Sequence, residues 1–307
     1  MTITSVAKVC HFSKTILTRC LITGILVFFG VSPALAESPL NSTSVSRTKI
    51  QYQLPHIEAK IQLDGRIDES VWKSALKISL NYETKPAENI KPMVETDVFL
   101  FEDGETLYIA FDARDDNPEQ IRDFLLDRDN IWNSDFVGIK FDTFGESRKA
   151  FQFFTNARGI QADAIQEDFR GDDQTWDAIW DSAARIHTSG YQVEMAIPFR
   201  AIRFPVSSKG QRWSFEVLRF LPRKNFHRIA NSPVDRNIAC SICQFDHLVG
   251  LQKVKPSKNL RLIPTLTFAS SESREVDALG QLGPWQGQGA DNRAGLDFRW
   301  GSPKIPT

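Results

Sequence analysis

Three clusters in this chain have residue types and spacing that can do chemistry. Cys240 and Cys243 are separated by two residues in "CSIC". At that spacing two thiols can close a local disulfide, contribute to a zinc site with His227 and His247, or act as a redox pair. Zinc needs four ligands in tetrahedral reach, and a redox pair needs a helix beginning at the first cysteine. The second cluster is "DAIQEDFRGDDQTWD", where Asp163, Glu167, Asp168, Asp172, Asp173 and Asp177 fall in one segment. Oxygen-rich loops hold calcium, and Asp168, Asp172 and Asp173 are the candidate ligands. The run lacks the D-x-D-x-D-G order of an EF-hand, so a solvated acidic loop is the competing reading. The third is "TWDAIWDSAARI", with Trp176 and Trp180 each followed by an aspartate. Tryptophan beside a carboxylate suits a sugar, which offers a C–H face to stack and hydroxyls to bond. It also suits a strand whose tryptophan points into a core.

Catalytic signatures are missing. The sequence has no G-x-S-x-G, H-E-x-x-H or G-x-x-x-x-G-K-[ST]. His56, His187, His227 and His247 are scattered. A glycosidase needs two carboxylates at a set separation across one bond, and spacing alone cannot supply that. The chain therefore reads as non-catalytic.

The elements that would position these groups are strands. "VETDVFLFEDGETLYIAFDARD" alternates on both sides of Asp103-Gly104 and predicts a β-hairpin. "DFVGIKFDT", "KAFQFFTN" and "RWSFEVLRF" add further strands, and "AIWDSAARI" with "YQVEMAI" predicts a pair around Ser189-Gly190. Alternation puts Ala178, Trp180, Ser182, Ala184 and Ile186 on one face, so Trp180 belongs in the core. Trp176 precedes the regular run, among loop-like residues. Helical signals are confined to "DESVWKSA", with Asp68 as a cap and Trp72 as a core plug, and to "NPEQIRDFLLD". Pro198 ends a strand, and Phe199, Ile202 and Phe204 pack after it. The fold class expected is all-β, an antiparallel β-sandwich.

The N-terminus carries Lys8, Lys14 and Arg19, then an apolar run closing on Ala34-Leu35-Ala36. That is the pattern of a secretory signal peptide over 1–36, with a small, polar linker over 37–47. Export to the periplasm or outer membrane is expected. Without those 36 residues, 34 basic residues face 38 acidic ones, a net charge of about −4. No basic patch stands out, so nucleic acid is not the expected partner.

The strands carry a family resemblance. "IQLDGRIDESVWKSA" and "NIWNSDFVGIKFDTF" resemble the family 9 carbohydrate-binding modules. "FTNARGIQADA" and "WDAIWDSAARIHTSGYQVEMAIPFRAIRF" are similar to a subgroup at the front of bacterial outer-membrane β-barrel proteins of unassigned function. The resemblance covers roughly 50–255 and implies a β-sandwich domain over 48–258 that binds a glycan or oligosaccharide. It makes Trp132, ahead of Asp135 and Val137, one wall of a sugar site. It also implies an acidic residue where this chain has Gly138 and an arginine where it has Phe154. A second tryptophan is implied in the last loop, "RNIACSICQFDHLVGL", which has none. Arg128, Asp129, Asp135 and Trp176 are the residues left to rebuild a polar site beside Trp132.

After Pro256, "NLRLIPTLTF" and "RAGLDFRWG" alternate as transmembrane β-strands do. Residues 259–307 are expected to be the truncated start of an outer-membrane β-barrel, because two strands cannot close. Two functions follow. The first is non-catalytic carbohydrate binding linked to polysaccharide breakdown or uptake. The alternative is a structural periplasmic or plug-like domain of a barrel protein that has lost its sugar site.

Overall fold

The structure is a computed structural model and describes residues 48–207, 210–254, 260–275 and 279–300. The expected signal peptide and linker, and the boundary expected at 258, lie outside the described residues. In chain order the strands are β1 (Gln51–Gln53), β2 (Leu76–Ser79), β3 (Tyr82–Lys85), β4 (Thr96–Glu102), β5 (Thr106–Arg114), β6 (Phe136–Asp142), β7 (Lys149–Asn156) and β8 (Gln161–Glu167). They continue as β9 (Gly171–Asp173), β10 (Asp181–His187), β11 (Gly190–Pro198), β12 (Gln211–Pro222), β13 (Phe226–Ala230), β14 (Asp246–Leu251), β15 (Leu260–Ser273) and β16 (Gln286–Trp300). Among the described residues the helices are short 3-10 turns, and none is long and apolar enough to cross a membrane.

Two sheets face each other. The longer runs β1-β14-β12-β6-β7-β8-β9, with β13 pairing both β12 and β3. The shorter runs β10-β11-β5-β4-β2. The pairings are antiparallel apart from β1 with β14, which is parallel and corrects the all-antiparallel expectation. Alternation decides which side chains meet. Val137, Ile139, Phe141, Phe153, Trp213, Phe215 and Val217 of the longer sheet pack against Val98, Leu100, Ile109, Phe111, Val193 and Met195 of the shorter. Trp180 joins this core, as its place in the alternation requires, while Ile179 beside it is exposed.

The outer face of the shorter sheet is covered. Phe101, Tyr108, Ala110 and Ala196 lie under Trp72 and the apolar residues of 57–75. Trp72 is thus a plug, but for this second core. Its 3-10 turn, Ser70–Ser74, is capped by Glu69 and not by the expected Asp68, and no side chain bonds the cap. Glu69 instead accepts a hydrogen bond from Trp72 Nε1 at 3.1 Å. Gly65, at φ +79, presses so closely on β10 that an added Cβ would lie 2.6 Å from the Ala184 carbonyl carbon. The expected helix over 117–127 reduces to a turn at Pro118–Gln120.

β15 and β16 form a separate two-stranded hairpin, with Leu262 opposite Phe298 and Leu266 opposite Ala294.

Candidate functional site

The outer face of the longer sheet is covered in patches: Ile131 and Trp132 pack on Phe136, Phe154 and Leu218, and Ile242 and Phe245 pack on Ala150. β6 presents Phe136, Gly138 and Lys140 there, because the intervening Val137, Ile139 and Phe141 face inward. The pairing sets Gly138 opposite Phe154 on one side and Leu218 on the other. Phe136 stacks on Phe220 at 4.5 Å, and Phe220 meets Phe226 at 5.6 Å. Trp132 stands edge-to-face with both Phe136 and Phe154, at 5.6 and 5.8 Å. The result is an aromatic ridge whose half-buried and exposed members are Trp132, Phe220 and Phe226, the last 44% exposed.

The ridge explains the two departures from the family pattern. A Cβ on Gly138 would sit 2.1 Å from the Phe154 ring and 2.3 Å from the Phe153 carbonyl oxygen. The glycine and the phenylalanine are therefore one feature: the ring occupies the space that a side chain at 138 would need.

Further along the same face the ridge gives way to a polar cleft of about 360 Å³. The sheet supplies Lys140, Gln166, Glu216 and Arg228, and the loop before β14 supplies Ser241 and Gln244. Arg228 Nη2 donates to both Glu216 oxygens at 2.7 Å, and its Nη1 donates to Thr84 Oγ1 at 2.7 Å. Lys140 Nζ donates to Gln166 Oε1 at 2.9 Å and lies 6.0 Å from the Phe154 ring centre. Burial, with Arg228 and Lys85 nearby, draws the Lys140 ammonium down to about 8, against opposing pulls from Glu216 and Asp172.

The sequence-derived residues are placed apart. Trp176 packs on Phe151 and Phe153, whereas Trp132 packs on Phe154, so the two indoles lie on opposite faces of β7. Arg128 is a clamp. It binds Asp163 and Gln161, and donates to the Ala178 carbonyl at 3.0 Å. The same Asp163 carboxylate accepts Trp180 Nε1 at 2.7 Å, and burial raises its pKa despite these partners. Asp129, at φ 67, accepts the Asp163 N–H at 3.1 Å. Asp135 is fully buried, and its Oδ2 accepts from the Arg122 N–H and from Arg223 at 2.7 Å.

The sulfurs of Cys240 and Cys243, the disulfide candidates, are brought together in the loop that walls the cleft. His227 pairs with Glu83 at 3.0 Å and His247 lies 3.4 Å from Ser214 Oγ. The three acidic-loop candidates have separate partners. Asp168 accepts from the Ser241 N–H, Asp172 from Gln152 and Asp173 from Thr175. Among the described residues no group of three His, Cys, Asp or Glu side chains is set to hold a metal.

Sequence reasoning missed Phe220, Phe226 and the whole cleft. A signal was available: "GIKFD", "SFEVLRF" and "FHRIA" each interrupt an apolar strand with a charge at an outward position.

Residues 63–229 match the family described as carbohydrate family 9 binding domain-like. A crystal structure of a proposed carbohydrate-binding protein from Bacteroides uniformis ATCC 8492 aligns with a TM-score of 0.54 at 11% identity, over 66% of this chain and 99% of that one. At that identity the likeness is one of fold. A family 9 carbohydrate-binding module from Caldicellulosiruptor kristjanssonii aligns with a TM-score of 0.48 at 12% identity, over 65% of this chain. Its complex with cellotriose is covered to 93% and its complex with glucose to 95%. No curated protein matches the chain.

Proposed function

The chain belongs to the carbohydrate family 9 binding domain-like family, and from that premise we propose that it binds a glycan without catalysis, on the open face of its longer sheet. The observation that carries this reading is the ridge of Trp132, Phe220 and Phe226, which sets three half-buried or exposed aromatic rings side by side along one sheet face. Aromatic faces stack on the C–H face of a pyranose, and a concave surface with convergent polar groups beside them is the usual form of a ligand site. The signal-peptide pattern supports export to the periplasm or outer membrane, where such a module would serve polysaccharide breakdown or uptake.

A tryptophan fluorescence titration with soluble glycans tests this. A saturable shift is expected that Trp132→Ala abolishes and Trp176→Ala retains. A folded protein that shows no shift with any glycan would sink the reading, as would loss confined to Trp176→Ala.

One observation favours a second role. The β15–β16 hairpin exposes Leu262, Leu266, Phe268, Leu296 and Phe298, with Phe268 70% exposed. An alternating apolar face of this kind supports a membrane-facing barrel strand pair, with the sandwich as the domain it carries.

A further inference from the structure

We propose that the cleft beside the aromatic ridge selects sugars bearing a carboxylate, with Lys140 as the group that receives it. The inference rests on the sugar-binding reading above and adds the substrate class. Glu216 is the carboxylate on the cleft wall, and Arg228 occupies both of its oxygens at 2.7 Å. The lining also holds Lys85, Lys140 and Arg236. Arg236 spends its Nη2 on the carbonyls of Thr84, Pro86 and Ala87. Of the lining cations, that leaves Lys140 and Lys85 with no carboxylate within ion-pair distance among the described residues.

Lys140 is placed for a ligand. Its ammonium has three donors, and one goes to Gln166. It stands two residues along β6 from Gly138, on the same face, and its Nζ is within 6.0 Å of the Phe154 ring that Trp132 also touches. A sugar stacked on the ridge therefore points its substituents toward the cleft mouth. With a neutral sugar the half-buried ammonium has only Glu216, already held by Arg228, and Asp172 as nearby negative charge. A uronate places a carboxylate there and forms a charge-assisted hydrogen bond, the stronger class. The opposite wall carries Ser241 and Gln244, whose polar groups are bonded to Gln166, Asp168, Asp235 and Cys240 and give the cleft a fixed, polar side.

The test uses calorimetric titration of the whole chain with trimers of galacturonate, mannuronate and guluronate, each beside its carboxyl-reduced neutral form. At least one acidic trimer is expected to bind on the order of tenfold tighter than its neutral form. Lys140→Gln should erase that ratio by weakening the acidic trimers far more than their neutral forms. Lys85→Ala, at an exposed position, should reduce the ratio. Trp132→Ala should weaken acidic and neutral trimers alike. Equal affinity for acidic and neutral trimers overturns the carboxylate inference and leaves the sugar reading standing. An acidic preference that Lys140→Gln and Lys85→Ala both leave intact overturns the assignment to this cleft. If no trimer of either kind binds, both fall together.

Discussion

The two outer faces of the sandwich are built from similar strands and finished differently. On the shorter sheet, the segment 57–75 lies across Phe101, Tyr108 and Ala196, and Trp72 closes the layer. On the longer sheet a comparable run of aromatic residues ends at solvent, with Phe226 and Trp132 at its margin and charged side chains beyond. Trp72 on the first face is buried beneath its segment; Trp132 on the second stays partly exposed and is the ring proposed to stack on a sugar. Residue type does not distinguish them. What does is whether another segment of chain comes back to cover it.

Substitutions can break that comparison, and Trp72→Ala should have the largest effect. Emptying a buried indole site costs about 3–5 kcal/mol, read as a lower denaturation midpoint, while glycan affinity per folded molecule stays unchanged. If Trp72→Ala instead removed binding from a folded protein, the covered face would be part of the site. Next is Gly138→Ala on the open face, where overpacking costs about 1–3 kcal/mol. Adding Phe154→Ala should recover part of that loss, because the ring is one of two obstacles and the Phe153 carbonyl is the other. Strict additivity of the two changes would show that residues 138 and 154 are not coupled.

How much of this was legible in the sequence follows from the range of the interactions. The Asp103-Gly104 hairpin, the inward Trp180 and the packing of Phe199, Ile202 and Phe204 rest on local alternation and turns, and all were readable. Asp135 was not. It follows Trp132 closely and looks available, but Arg223, 88 residues away, reaches it in the interior. Arg128 likewise looked free until Asp163, 35 residues on, took its guanidinium. Lys140, Glu216 and Arg228 become one cleft through pairing register, which a single sequence does not state. The site was therefore less readable than the fold, because it is made of cross-strand neighbours.

A pH series sharpens the comparison further. Glu194 is buried under the covering segment, where its Oε2 accepts the N–H groups of Asp64 and Gly65. Burial outweighs these bonds and pushes the carboxyl up to about 7, from an ordinary 4.5. The folded state then holds a proton that the unfolded chain releases. The resulting stabilisation is full below about 4.5 and is lost as pH rises through about 7, on the order of 1–2 kcal/mol. Thermal midpoints should fall across that window, and Glu194→Gln should flatten the slope. A slope unchanged in the variant would assign the effect elsewhere. The smallest change belongs to the open face: Phe226→Ala should shift stability by no more than about 1 kcal/mol. It should weaken glycan binding, and unaltered affinity would remove Phe226 from the ridge's working surface.

The parallel pairing of β1 with β14 fixes how the domain bears load. Gln51 lies beside His247 and Gln53 beside Val249, so the chain enters the sandwich at one end of this pair and leaves at the other. The bonds from Leu54 N–H to the Val249 carbonyl and from His247 N–H to the Ile50 carbonyl run across that direction. Tension between the segments flanking the sandwich pulls the two strands past each other lengthwise. The bonds then share the strain and yield together, where an antiparallel pair pulled from one end would open one bond at a time.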